Sequence, residues 1–218
     1  MSATPLVEDY EGCRLQLTSD GRDFTCGLHD APVLEGMRIG GGADKPACGE
    51  LRQRLRVDAD ERIMVVKDTR LRVVQTILTK DPSEYVRCAL AGSPHLTPAP
   101  QAILAEDPEL VVRCALAGNR SLTPARQAIL AKDPHQGVRV VLADNPNLAP
   151  AGQAILAEDP DVCVRWALAR YQHVYSPNLA PAVQTILARD PEWDVRRILA
   201  HNQTLARGAT VAAAGIEL

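Results

Sequence analysis

The sequence predicts an all-α fold, a solenoid of two-helix repeats each 26 residues long, preceded by an irregular cysteine-containing segment. Three ladders in one register predict it. Asp-Pro recurs at Asp81-Pro82, Asp107-Pro108, Asp133-Pro134 and Asp159-Pro160, and again at Asp190-Pro191 after an interval lengthened by five residues. Val-Arg recurs at Val86-Arg87, Val112-Arg113, Val138-Arg139, Val164-Arg165 and Val195-Arg196. Ile-Leu recurs at Ile77-Leu78, Ile103-Leu104, Ile129-Leu130, Ile155-Leu156 and Ile186-Leu187. A fixed period over many units means that each unit covers the apolar face of its neighbour.

The elements follow in order. Residues 1–55 do not share the period and read as a cap or appended module, with Gly40-Gly41-Gly42 marking a loop and a helical pattern from Leu51 to Val57. The solenoid occupies residues 56–218, with its first unit degenerate at the Val-Arg position and clear repeats up to Arg207. In each repeat Asp-Pro is expected to open the first helix, the Asp accepting from an unpaired N–H and the Pro at the first helical position. That helix stops at turn residues such as Gly118-Asn119 or Asp144-Asn145-Pro146. Thr97-Pro98 and Thr123-Pro124 are expected to cap the second helix, which is short enough to be partly 3₁₀. Isolated helices below about 12 residues are marginal, so stacking must stabilise them. Each ladder arginine follows the Asp of its own repeat by six residues. That spacing predicts Asp–Arg pairs within or between repeats rather than a cationic binding face.

Composition narrows the function. Only 3% of the 218 residues are aromatic, so the core must be Ala, Leu, Ile and Val. The formal net charge of −3 argues against a nucleic-acid partner, which needs a basic stripe. No apolar run approaches the roughly 20 residues of a membrane span, and Met1 to Tyr10 lacks the order of a signal peptide. The expectation is a soluble cytoplasmic protein. No phosphate loop, nucleophile elbow or zinc-protease motif occurs, so a binding role is expected rather than catalysis.

Two groups of residues carry chemistry. Cys13, Cys26 and Cys48 lie in the N-terminal segment, and His29 makes a Cys-x-x-His with Cys26. Three thiolates with His29 suit tetrahedral zinc, and three with another ligand, such as Cys88, suit an iron–sulfur cluster. Three ordinary buried cysteines are the alternative. The other group surrounds the five-residue insertion between Ala169 and Asn178, where Trp166, Tyr171, His173, Tyr175 and Trp193 gather. Aromatics beside arginine are enriched where partners dock, although a bulge filled by its own side chains has the same composition. Cys88 and Cys114 share a repeat position that later holds Val140, Trp166 and Arg197, as expected of a tolerant packing site.

Taken together, Asp-Pro, Val-Arg-Cys-Ala-Leu-Ala, the Gly/Asn turn, Leu-Thr-Pro and Ala-Ile-Leu-Ala resemble the leucine-rich repeat variant family over about two-thirds of the chain, Asp60 to Arg207. The resemblance implies a right-handed superhelix of alternating α- and 3₁₀-helices without sheet. Some members carry an N-terminal module that holds a 4Fe–4S cluster through cysteines, and the resemblance implies such a cluster on Cys13, Cys26 and Cys48. Only three cysteines stand where a cubane usually takes four. The function implied is an iron–sulfur-associated, redox-responsive scaffold for an unidentified protein. A metal-free scaffold, or one with a zinc-stapled cap, is the alternative. A nucleic-acid-binding repeat protein is a remote third.

Overall fold

The computed structural model describes residues 7–10, 13–18, 22–26, 47–68, 70–174 and 179–201. The chain divides into two compact units, Met1–Leu104 and Ala105–Leu218.

The first unit opens with strands, where an irregular segment was expected. Strands β1 (Val7–Tyr10), β2 (Cys13–Leu17) and β3 (Phe24–Cys26) form an antiparallel meander in sequence order. Val7 pairs with Gln16 and Tyr10 with Cys13, while Leu15 pairs with Cys26 and Leu17 with Phe24. Leu15 and Phe24 are fully buried, and strand alternation explains why these apolar positions hold the sheet to the helices. Helix α1 (Ala47–Arg56) and helix α3 (Arg72–Leu78) pack against β2. Helix α2 (Ala59–Asp68) packs against α4 (Glu84–Ala91), and α3 against α5 (Pro98–Leu104).

The second unit repeats that pattern. Its first-type helices are α6 (Leu110–Ala117), α8 (Gln136–Ala143), α10 (Val162–Val174) and α12 (Trp193–Ala200). They stack on one another in that order. The second-type helices α7 (Pro124–Leu130), α9 (Pro150–Ala157) and α11 (Pro181–Leu187) stack likewise. Two parallel stacks of short helices are the construction of an α-solenoid. The ladder residues Val112, Val138, Val164 and Val195 are completely buried, as are Leu116, Leu142, Leu168 and Leu199. Together with Leu130, Leu156 and Leu187 they make the aliphatic core that the low aromatic content requires.

The helix starts differ from expectation. The first helix of each repeat begins three residues after the Asp, at Glu84, Leu110, Gln136, Val162 and Trp193. The Asp instead closes a turn: Oδ1 of Asp81, Asp107, Asp133, Asp159 and Asp190 accepts the N–H two residues on, at 2.8–3.0 Å. This is the local bond an Asx turn makes. Proline does open the second helices, at Pro98, Pro124, Pro150 and Pro181. These are α-helices of seven or eight residues, and several tighten at the end into bonds that span three residues, such as Lys132 N–H to Ile129 O. Thr123 makes no side-chain cap, and the Thr97 hydroxyl donates to Gln75 Oε1 at 2.8 Å. The five-residue insertion lengthens α10 to 13 residues.

Candidate functional site

Two hydrogen-bonded seams join successive repeats, and what they leave exposed defines the candidate site. The first seam is the arginine ladder. Arg113 Nε donates to Asp133 Oδ2 of the following repeat at 2.8 Å, Arg139 to Asp159 at 2.6 Å, and Arg165 to Asp190 at 2.7 Å. Nη2 reaches Oδ1 of the same carboxylate in each case, at 3.1–3.4 Å, so the contact is a fork. Nη1 turns back to the Asp carbonyl of its own repeat, at 2.7–2.8 Å. The Asp hydrogen bond is the main cause that raises the pKa of all three guanidinium groups, with burial opposing it. Arg62 in the first unit does the same, reaching Asp81 at 2.6 Å. The unit that reads as degenerate is therefore stitched like the others. Arg113, Arg139 and Arg165 are consumed in structure, as the six-residue spacing predicts.

The second seam is a line of glutamines, which the sequence reading did not single out. Gln127 is buried in α7 and donates to Leu122 O at 3.1 Å and to Asn147 O at 2.9 Å, while its Oε1 accepts from Ala149 N–H at 2.7 Å. Gln75 joins His95 and Thr97 in the same way, and Gln153 reaches Ala180 N–H at 2.9 Å. A polar residue recurring inside an apolar helix face was the available signal, since buried amides must be satisfied. Asn145 adds a third bond set, donating to Ala117 O and Asn119 O at 2.7 and 3.0 Å.

The Ile-Leu ladder splits. Every Leu is buried, but Ile103, Ile129 and Ile186 remain 44%, 42% and 36% exposed. Neighbours on a helix point about 100° apart, so on these short helices the Ile turns toward the edge of the face whose centre the Leu occupies. In the second unit a shallow cleft of about 530 Å³ opens along the arginine seam, lined by Pro134, Ile155 and Pro160 with Lys132 and Glu158. In the first unit a cleft of about 520 Å³ uses the equivalent Ile77 and Pro82 beside Leu55 and Lys80. The residue before each Asp is exposed and charged, in the order Lys80, Glu106, Lys132, Glu158 and Arg189. Tyr85, Val111, Val162 and Trp193, at the starts of first-type helices, are exposed too.

Of the five aromatic and histidine residues named from sequence, Trp166 and Trp193 have described side chains. Trp166 is half-buried in α10 with the Arg170 guanidinium 4.8 Å from its ring centre, and exposed Trp193 carries Arg197 at 5.0 Å. Tyr171 and His173 lie on the extended end of α10, but their side chains, and the whole of Tyr175, fall outside the described residues. Arg170 also reaches Asp144 Oδ2 at 3.8 Å. Asp144 Oδ1 is buried without a hydrogen-bond partner, and burial pushes the carboxyl pKa up while Arg170 opposes it.

Three elements bearing the N-terminal cysteines come together in backbone terms. Cys13 and Cys26 sit at nearby register positions on paired strands, and α1, which carries Cys48, packs on β2. The side chains of these three cysteines and all of His29 lie outside the described residues. Among the described residues no group of three His, Cys, Asp or Glu side chains could hold a metal. Cys88 lies half-buried in α4, where burial and the nearby Glu84 push its thiol pKa up. No described helix is long and apolar enough to cross a membrane.

This architecture and surface define the class: a helical-repeat protein with an α-solenoid construction. No protein-family model matches the chain, and neither the curated proteins nor the solved structures contain a match to it.

Proposed function

We propose that the chain is a protein-binding scaffold of the leucine-rich repeat variant type, acting by recognition rather than catalysis. The observation that carries this reading is the exposure of the isoleucine ladder. Five repeats place Ile at the same position; stacking buries the adjacent Leu fully but leaves Ile103, Ile129 and Ile186 exposed and Ile77 and Ile155 half-buried, so core packing alone does not explain why this position is apolar. The clefts beside Ile77 and Ile155 add proline-bearing walls, and the charges of both signs that line them, Lys80 with Asp81 and Lys132 with Glu158, favour a partner of mixed charge over a polyanion. The test is capture of partners from the source cell by the parent protein and by an Ile129→Glu/Ile186→Glu variant. The variant should keep its melting temperature and lose the captured protein. Unchanged capture would refute the assignment of this face.

A second reading concerns the cap. The approach of β2, β3 and α1 supports a metal or iron–sulfur group on Cys13, Cys26 and Cys48, which would supply redox sensing or a structural staple. Anaerobic preparation followed by iron, sulfide and zinc analysis tests it. A colourless, metal-free, folded protein would end it.

A further inference from the structure

We infer that the isoleucine face of the second unit takes a second copy of this chain, docked antiparallel about a two-fold axis between the repeats of Lys132 and Glu158. This rests on the reading of that face as a binding surface and names its occupant. The polarity of the second-type helices is inverted. Their glutamines Gln127, Gln153 and Gln184 are buried. Helices α9 and α11, which stack on each other, carry no charged residue and expose Pro150, Ala151, Ala154, Pro181, Ala182 and Ile186. The exposed Thr185 turns back on its own helix, its hydroxyl donating to Pro181 O at 3.0 Å. A surface helix ordinarily places charged and polar groups on its outer face, and two neighbouring helices without them mark an interaction surface.

Charge identifies the occupant. Glu106, Lys132, Glu158 and Arg189 hold one repeat position, each four residues before a first-type helix, and those helices stack in the order α6, α8, α10, α12. All four are exposed, and none makes an ion pair among the described residues. The N–H groups of Lys132, Glu158 and Arg189 donate to the carbonyls of Ile129, Ile155 and Ile186 at 3.0–3.3 Å. Residues three apart on a helix are neighbours, so these charges border the apolar face. Along the stack the signs run minus, plus, minus, plus. An even, alternating row is its own complement when reversed, as an isologous contact requires. Lys132 then faces Glu158 of the second copy, and Glu106 faces Arg189 of the second copy, each pair occurring twice. Laid in the same direction the row would set like charges together, and a partner of a single sign would be repelled by half of it. The seam arginines take no part, since their forks are held inside each copy.

The test is sedimentation velocity of the purified full-length protein over a concentration series. A dimer is expected with a Kd of about 10 μM, the weak range of a small, partly polar face. Ile129→Glu/Ile186→Glu should stay monomeric throughout the series. Lys132→Glu and Glu158→Lys should each dimerise about tenfold more weakly, because each sets like charges opposite one another twice. Mixed in equal amounts, these two variants should regain a dimer as tight as the parent's, since every facing pair is again opposite in sign. That recovery also shows that both are folded. A parent that stays monomeric overturns the inference, and the capture experiment then decides the binding face without it. A dimer that persists in Ile129→Glu/Ile186→Glu overturns it by placing the contact elsewhere. It is overturned equally if each charge variant dimerises like the parent, or if their mixture associates no better than either alone.

Discussion

The arginine seam makes the sharpest stability prediction, and Asp159→Ala is the perturbation that isolates it. Asp159 accepts from Arg139 Nε at 2.6 Å and Nη2 at 3.1 Å, and its Oδ1 also holds the Asp161 N–H at 2.9 Å. The side chains are 12% and 3% exposed, so the pair is shielded from solvent. Removing one member of a buried pair costs about 3–5 kcal/mol, because the other charge is stranded. Arg139 keeps its bond to Asp133 O, which places the ionic part near the bottom of that range. The lost turn bond adds about 1 kcal/mol. We therefore expect a loss of about 4 kcal/mol for Asp159→Ala, read by urea unfolding followed by far-ultraviolet circular dichroism. The double variant Arg139→Met/Asp159→Ala should lose less than the sum of the singles, since it strands no charge. Repeat arrays can unfold in parts, so the denaturant slope must match the parent's before midpoints are compared. A loss below about 1 kcal/mol, or strict additivity, would show that the ladder is ordinary surface pairing.

Other outcomes follow from neighbouring features. Leu130→Ala should cost about 2–5 kcal/mol and Ile129→Ala well under half of that, because only the leucine is buried; equal losses would refute the split of the ladder. Gln127→Met should destabilise by about 2–4 kcal/mol in the same unfolding assay despite its greater hydrophobicity, because Asn147 O and Ala149 N–H lose their partner. Asp144→Asn should raise the melting temperature at neutral pH, with the gain shrinking as the solution is acidified. A carboxyl whose folded pKa is raised stabilises the fold in its protonated form, and that contribution is lost as pH rises through the folded value. A gain that grew on acidification would contradict the sign. Limited iodoacetamide treatment read by mass spectrometry should label exposed Cys163 before Cys88, whose thiol is held protonated by burial and by Glu84.

Much of the fold was legible because a repeat states its register several times. Period, helix pairing and the Val and Leu core positions all follow from the ladders, and so does the Asp–Arg pairing. The turn geometry was less legible. Asp before Pro is compatible with a helix cap and with a turn bond two residues on, and only the helix starts at Glu84, Leu110 and Gln136 distinguish them. The strands were missed because Val7–Tyr10 and Phe24–Cys26 are too short for alternation to show. The exposure of Ile103, Ile129 and Ile186 was not legible because the Ile-Leu pair recurs as a unit and does not say which member faces the core. Gln127 and its equivalents look like solvent-facing polar residues until the adjoining turn carbonyls are placed beside them.

The lengthened α10 shows where this architecture tolerates growth. Arg165 and Asp190 are 25 residues apart where Arg139 and Asp159 are 20, yet the bond lengths are 2.7 and 2.6 Å. Gln153 and Ala180 are 27 apart where Gln127 and Ala149 are 22, with bonds of 2.9 and 2.7 Å. The inserted residues leave by extending one helix end, beyond the last groups that either line of cross-links grips. That corner is the place to graft a foreign loop or a binding peptide, because the spacing of the stack is fixed elsewhere. An equal insertion between Asp190 and Arg196 would separate the cation from the carbonyl it grips, and the stack should come apart there.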